Sequence, residues 1–309
     1  MTGRARVLLT GATGFVGRHL ARSLLSEGYA VRAPARRPDG LPAGVEPAAL
    51  DDLSAPQDWA ALLDGIDSVV HSAGLAHAGP GLPEDAYERV NRDATLALGR
   101  AAAGTVRRFV FLSSIRAQCG PSSATVLRET DEPRPTDAYG RSKLAAEQGL
   151  AALDIEAVSL RPVVVYGPGV GGNVGQLVRL ARMPLPLPFG ALQTRRSLVC
   201  VENLASAVSL ALSPGGLPAG PLIVADPQPI AFAELVAAMR EALGRPRLLV
   251  DMPPGLMQAA LGAVGAGGIM QRLAGEMVAD PSRLLSLGWQ PPVRSTQAGI
   301  RRWLGAPTA

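Results

Sequence analysis

Tyr139 and Lys143, in Tyr139-Gly140-Arg141-Ser142-Lys143, have the types and the spacing for proton exchange. Residues four apart share one face of a helix. A free phenol titrates near pH ~10, so it serves as an acid–base group at neutral pH only where a cation stabilises the phenolate, and an ammonium on the next turn can do so. Lys143 is the only lysine of the chain, every other basic residue among its 30 Lys and Arg being arginine. Lysine is a compact, flexible donor that arginine's planar fork does not reproduce. Pro133, Pro135 and the candidate caps Thr136 and Asp137 precede the tyrosine, so the pair opens a helix, expected over Ala138 to Leu153.

A second group of residues suits an anionic ligand. Thr10-Gly11-Ala12-Thr13-Gly14-Phe15-Val16-Gly17 lies between an apolar strand and an amphipathic helix. Glycines in that context allow a tight turn and bring backbone N–H groups against a pyrophosphate at the positive end of a helix. Gly11, Thr13, Gly14, Phe15, Val16 and Gly17 are therefore expected to hold a dinucleotide. In folds of this kind an acid at the end of the second strand reads the ribose hydroxyls of NAD. Here Val31-Arg32-Ala33-Pro34-Ala35-Arg36-Arg37 offers none. Arg36 and Arg37 are either solvated surface arginines or partners of a 2′-phosphate, and NADP is expected over NAD.

These residues need a scaffold, and the first half of the chain supplies one by alternating short aliphatic runs with longer helical patterns. Strands are expected at Val7–Leu9, Tyr29–Ala33, Val45–Glu46, Ser68–His71, Arg108–Leu112 and Glu156–Leu160. Helices are expected at Phe15–Leu25, Pro56–Leu63, Pro83–Ala103 and Ala138–Leu153. The pattern is that of an α/β, Rossmann-type, doubly wound parallel sheet with a smaller C-terminal substrate-binding lobe. The dinucleotide-binding domain is assigned to residues 1–165 and the lobe mainly to 166–309, with strands near 198–201 and 222–224 rejoining the main sheet. C-terminal helices are expected at Phe232–Leu243, Gly255–Val264, Pro281–Leu287 and Thr296–Leu304.

With the glycine turn, the Tyr-x-x-x-Lys pair and Phe111-Leu112-Ser113-Ser114 in view, the sequence resembles the extended short-chain dehydrogenase/reductase family (NAD-dependent epimerase/dehydratase) over nearly its whole length. The resemblance implies that Ser114, with Ser113 next in line, hydrogen-bonds the reacting oxygen, that Tyr139 exchanges its proton, and that Lys143 also holds the nicotinamide ribose. It further implies cofactor contacts from Asp52 and Leu53, from Ser72-Ala73-Gly74 after the fourth strand, and from Asn91. Gln118-Cys119 departs from the Val-Tyr common in the family. Val165-Tyr166-Gly167-Pro168-Gly169 resembles the nucleotide-sugar branch, with Asn173 at a helix start and Arg196 as the diphosphate-binding arginine. The implied activity is hydride transfer at C4 of a nucleotide-diphosphate sugar, by a 4-epimerase or a 4-keto-sugar reductase acting as a homodimer. Family dehydratases carry an Asp-Glu pair beside the catalytic hydroxyl, whereas Ile115 and Arg116 follow Ser114 here. The alternatives are a reductase of small ketones or aldehydes and a non-catalytic NAD(P)-binding sensor, whose relatives commonly lose the Tyr and Lys.

Composition narrows the field. A net charge of +4 is too small an excess on 309 residues to indicate nucleic acid. Two distant cysteines make no disulfide framework, and no apolar run has the length of a signal peptide or membrane span. A cytoplasmic protein is expected. Three histidines without ligand spacing argue against a metal site.

Overall fold

The computed structural model describes residues 5–76, 82–253, 255, 256, 262 and 275–305. Seven parallel strands form the central sheet: β1 (Arg6–Thr10), β2 (Ala30–Ala35), β3 (Glu46–Ala49), β4 (Ser68–His71), β5 (Arg108–Leu112), β6 (Ala157–Pro162) and β10 (Gly220–Val224). Their spatial order is β10-β6-β5-β4-β1-β2-β3. The central strands are almost wholly buried, as strands covered by helices on both faces must be. From β1 the chain winds outward through β2 and β3, then returns to β4 and winds the other way. The reversal lies between β1 and β4, and ligands of such sheets bind in the crevice beyond the carboxyl ends of the strands flanking it.

Helices α1 (Phe15–Ser26) and α7 (Val201–Leu212) cover one face. Helices α2 (Trp59–Leu63), α4 (Ala94–Ala102) and α5 (Ala138–Ala151) cover the other, around Leu8, Val69, Phe109 and Phe111. Between α3 (Glu84–Tyr87) and α4 the helix widens into a π-helical turn, Glu88–Asp93. A third apolar cluster is built after β7 (Val164–Tyr166) by α6 (Gly172–Ala181), β9 (Leu198–Cys200), α8 (Phe232–Ala242) and the helix Thr296–Leu304. Buried Asp226, just past β10, ties this region to the sheet by accepting from Tyr166, Thr296, Asn203 and the Cys200 N–H.

Two sequence expectations change. The segment near 198–201 does not rejoin the main sheet; β9 pairs with β7 in a separate two-stranded sheet, whereas β10 does take the main-sheet edge. Its last residue, Val201, begins α7, a helix the sequence reading did not include. The run is apolar enough to read as buried strand, and short apolar runs do not separate strand from buried helix by periodicity. The helix expected at Gly255–Val264 lies largely outside the described residues.

Candidate active site

The glycine turn follows β1 at the switch point. Gly11 has φ +75°, and a Cβ there would lie 2.7 Å from the Ala73 nitrogen. A Cβ on Gly17 would lie 2.1 Å from the Gly11 carbonyl oxygen. Only glycine lets the turn, the first helical turn of α1 and the Ser72–Gly74 segment after β4 close on one another in this way. Gly14 caps α1 without a side-chain acceptor, so the helix presents its N-terminal N–H groups as an anion-binding end. This cradle fits a dinucleotide pyrophosphate.

Thr10 and His71, at the ends of β1 and β4, lock that floor. The Ala73 N–H donates to Thr10 Oγ1 at 3.2 Å, Thr10 lies 2.8 Å from His71 Nδ1, and His71 Nε2 lies 2.9 Å from Thr95 Oγ1. The Thr95 hydroxyl donates to the Asn91 carbonyl, so its oxygen accepts from His71 Nε2–H, and Nδ1 in turn accepts from Thr10. The imidazole is thus neutral, and burial, with the Lys143 charge second, pushes its pKa down to about 3. Asn91, on the π-helical turn, uses its side-chain amide on the Leu75 backbone and on Ser142. It braces the turn after β4 against α5; π-bulges of this kind occur at functional sites.

On the other side of the crevice β5 is followed by Ser113 and Ser114, whose side chains part company. The Ser113 hydroxyl donates to Glu147; the Ser114 hydroxyl lies beside the Tyr139 phenol, near enough to lower its pKa. Asp137 caps α5 by accepting the Gly140 N–H at 2.7 Å. A Cβ on Gly140 would lie 2.3 Å from the Arg116 carbonyl oxygen, so glycine admits the first turn of α5 right against the loop carrying Ser114. Tyr139 is half-buried: its partial burial raises its pKa, while Ser114 and the Arg116 charge lower it and Asp137 raises it. The Tyr87 ring packs edge-on at 6.4 Å.

Lys143 is buried one turn on. Its ammonium donates to the Leu112 carbonyl at 2.9 Å and sits 4.6 Å from the centre of the Phe111 ring. Burial lowers its pKa to about 8, and Glu147 acts in the opposite direction. A Cβ on Gly74 would lie 3.4 Å from its Nζ, so the ammonium lies between the ends of β4 and β5, beside the cradle.

The remaining sequence-derived residues spread around this centre. Arg36, exposed, pairs with Asp52 at 3.3 Å, and Asp52 also accepts from Ser54; Arg37 is exposed. Leu53 packs partly buried against the helical layer that includes α2. Asn173 lies in the first turn of α6. Arg196, in the short strand β8 (Arg195–Arg196), is almost fully buried, donating to the Gly275 and Pro121 carbonyls. Burial, then the neighbouring Arg116, lower its pKa to about 10. Three residues were missed as participants: Arg116, whose charge reaches Tyr139 and Arg196; Glu147; and Arg161, which pairs with Glu147 in the interior. Glu147 stands one helical turn beyond Lys143, a signal the spacing carried. Gln118 accepts from Arg161 and faces inward, while Cys119 lies near Arg116 and Arg196. Among the described residues no group of His, Cys, Asp and Glu could hold a metal ion, and no helix is long and apolar enough to cross a membrane.

The chain is also similar to known proteins. The profile of the NAD dependent epimerase/dehydratase family matches residues 7–219. The chain is 34% identical to a UDP-glucose 4-epimerase of Vibrio cholerae, over 96% of this chain and 93% of the relative. Its fold is similar to that of MoeE5 in complex with UDP-glucuronic acid and NAD, with TM-score 0.76, 27% identity and coverage of 97% of this chain and 98% of that one. MoeE5 in complex with UDP-glucose and NAD superimposes with TM-score 0.74 and 27% identity, over 97% of each chain.

Proposed function

The chain belongs to the NAD dependent epimerase/dehydratase family, and from that premise we propose that it works at C4 of a nucleoside diphosphate sugar, with 4-epimerisation as the net reaction. The observation that carries the reading is the juxtaposition of Ser114, just past β5, with Tyr139, and buried Lys143 beside the glycine cradle. NAD held by the Gly11–Gly17 cradle would supply a reversible hydride acceptor, and net epimerisation requires the 4-keto sugar to present its opposite face before the hydride is given back. Ser114 holds the C4 oxygen, and Tyr139 takes its proton when the alcohol is oxidised and gives it back when the carbonyl is reduced. Lys143 stays charged below about pH 8 and stabilises the phenolate electrostatically. Arg196 and Asn173 are assigned to the diphosphate, whose binding energy orients the sugar carbon against Ser114 and Tyr139. The enzyme is read as a cytosolic homodimer, which light scattering checks.

For the dinucleotide, Arg37 is the residue assigned to a 2′-phosphate, since Arg36 is already paired with Asp52. Titration with both dinucleotides decides between NADP and NAD. For the reaction, incubation of UDP-glucose or UDP-glucuronic acid with enzyme and NAD should yield the C4 epimer by NMR. UDP should raise the melting temperature, since a ligand bound only by the folded state stabilises it. Arg196→Ala should weaken UDP by roughly 10- to 100-fold. No response to UDP, GDP or dTDP with cofactor present would transfer the assignment to a reductase of small carbonyl compounds.

A further inference from the structure

We propose that Arg116 reads a negatively charged substituent on the sugar itself, so that the preferred substrate is a nucleoside diphosphate hexuronic acid; this rests on the C4 reading above. Arg116 lies two residues after Ser114, and its backbone N–H donates to Ser114 Oγ at 3.2 Å. Its guanidinium is held at one end by Asp137, the cap of the helix carrying Tyr139. The Arg116 carbonyl is fixed against Gly140. The side chain is only 11% exposed, and among the described residues its Nε and Nη1 are buried with no hydrogen-bond partner. A buried cation keeps such donors unsatisfied at a cost, and ligand oxygens are the natural complement where the group borders a reaction centre.

The charges around it point the same way. Among the described residues Asp137 is its one acidic partner, while Arg196 is a second buried cation close enough for the two to act on each other, and Lys143 lies over the Phe111 ring. With Arg196 assigned to the diphosphate, a neutral sugar substituent would still leave the Arg116 Nε and Nη1 donors unanswered.

Ring geometry selects which anionic group of the substrate meets Arg116. A pyranose whose C4 oxygen touches both Ser114 and Tyr139 has C5, with its exocyclic carbon, bonded directly to C4. Its C1 and the attached diphosphate lie at the far end of the ring. A guanidinium rooted two residues from Ser114, whose charge acts on the Tyr139 phenol, is therefore at the C4 end of the ring, within reach of the substituents on C3 and C5 and away from the diphosphate. Carboxylate is the substituent that answers a cation there, and a charge-assisted hydrogen bond to it is among the stronger contacts available.

The test compares UDP-glucuronic acid with UDP-glucose, which differ only in carboxylate against hydroxymethyl. Wild-type enzyme should favour the uronate in kcat/KM, and Arg116→Gln should shrink that preference by roughly 10- to 100-fold. The loss should fall mainly on KM. Arg116→Lys, which keeps the charge and can still pair with Asp137, should recover part of it. In a Tyr139→Phe background, where no turnover intervenes, calorimetry with NAD present should show the same selective loss for UDP-glucuronic acid and little change for UDP. Melting curves of both variants check folding. An unchanged ratio, or UDP weakening as much as UDP-glucuronic acid, would overturn the proposal, the second result assigning Arg116 to the diphosphate. Failure of wild-type protein to bind UDP at all is a separate outcome that removes the C4 nucleotide-sugar reading beneath it.

Discussion

The two sides of the loop that follows β5 use the same residue types to opposite ends. On the inner side, Ser113, Glu147, Arg161 and Gln118 form a buried network in which Arg161 meets both carboxylate oxygens of Glu147 and the Gln118 side chain, and Ser113 donates to Glu147. On the outer side, Ser114 is buried, Tyr139 and Arg116 are partly buried and Asp137 reaches solvent, yet two guanidinium nitrogens of Arg116 are buried and find no partner among the described residues. Adjacent residues in extended backbone, as at Ser114 just past β5, face opposite ways, so one chain position separates structure from chemistry. A polar network closed on itself specifies packing; one left open at a crevice has capacity for a ligand.

The sharpest break in this comparison comes from the outer side. Tyr139→Phe should lower kcat by about 10² to 10⁴ while NAD affinity and melting temperature stay close to wild type. Steady-state kinetics with dinucleotide titration checks it, and wild-type turnover would refute the assigned role. The paired serines sharpen the same point: Ser114→Ala should lose activity with its stability kept, and Ser113→Ala should lose about 1 kcal/mol of stability with its activity kept.

On the inner side, Glu147→Gln leaves Arg161 as a buried charge without its ionised partner. It should destabilise the fold by about 3–5 kcal/mol in urea unfolding, and the double variant Glu147→Leu, Arg161→Met should recover much of that loss. An effect below about 1 kcal/mol for the single change would mean that the network contributes little.

A smaller effect arises at the floor of the crevice. His71 has a folded-state pKa near 3 against an ordinary value of 6.5. Because the folded-state value is depressed, its contribution is fully present above pH 6.5 and is lost as pH falls from there toward 3. Linkage puts the loss between pH 7 and pH 5 at about 2 kcal/mol. His71→Gln should be less stable at neutral pH but should show a flatter dependence over that interval, measured by denaturant unfolding at each pH. An equally steep profile would place the titration elsewhere.

The smallest effect is expected at the exposed rim, where solvent screens charge. Arg37→Ala should weaken NADP by several-fold and leave NAD within twofold. Equal weakening of both would remove the 2′-phosphate assignment.

Much of this arrangement was readable in the chain. The strand-to-helix glycine turn, the Tyr139–Lys143 spacing and the strands Ser68–His71 and Arg108–Leu112 follow from local rules: glycine stereochemistry, helical periodicity and continuous apolar runs between breakers. The fates of Ser113 and Ser114 were not readable, because their difference depends on which face of β5 meets α5. Nor was the pairing of β9 with β7, or the helix Val201–Leu212, since both are set by packing partners distant in sequence. Arg116 stood in plain view as one arginine among many. Only the tertiary fold buried it between Ser114 and the cap of α5, because burial and charge pairing are properties of neighbours in space, whereas the sequence lists neighbours along the chain.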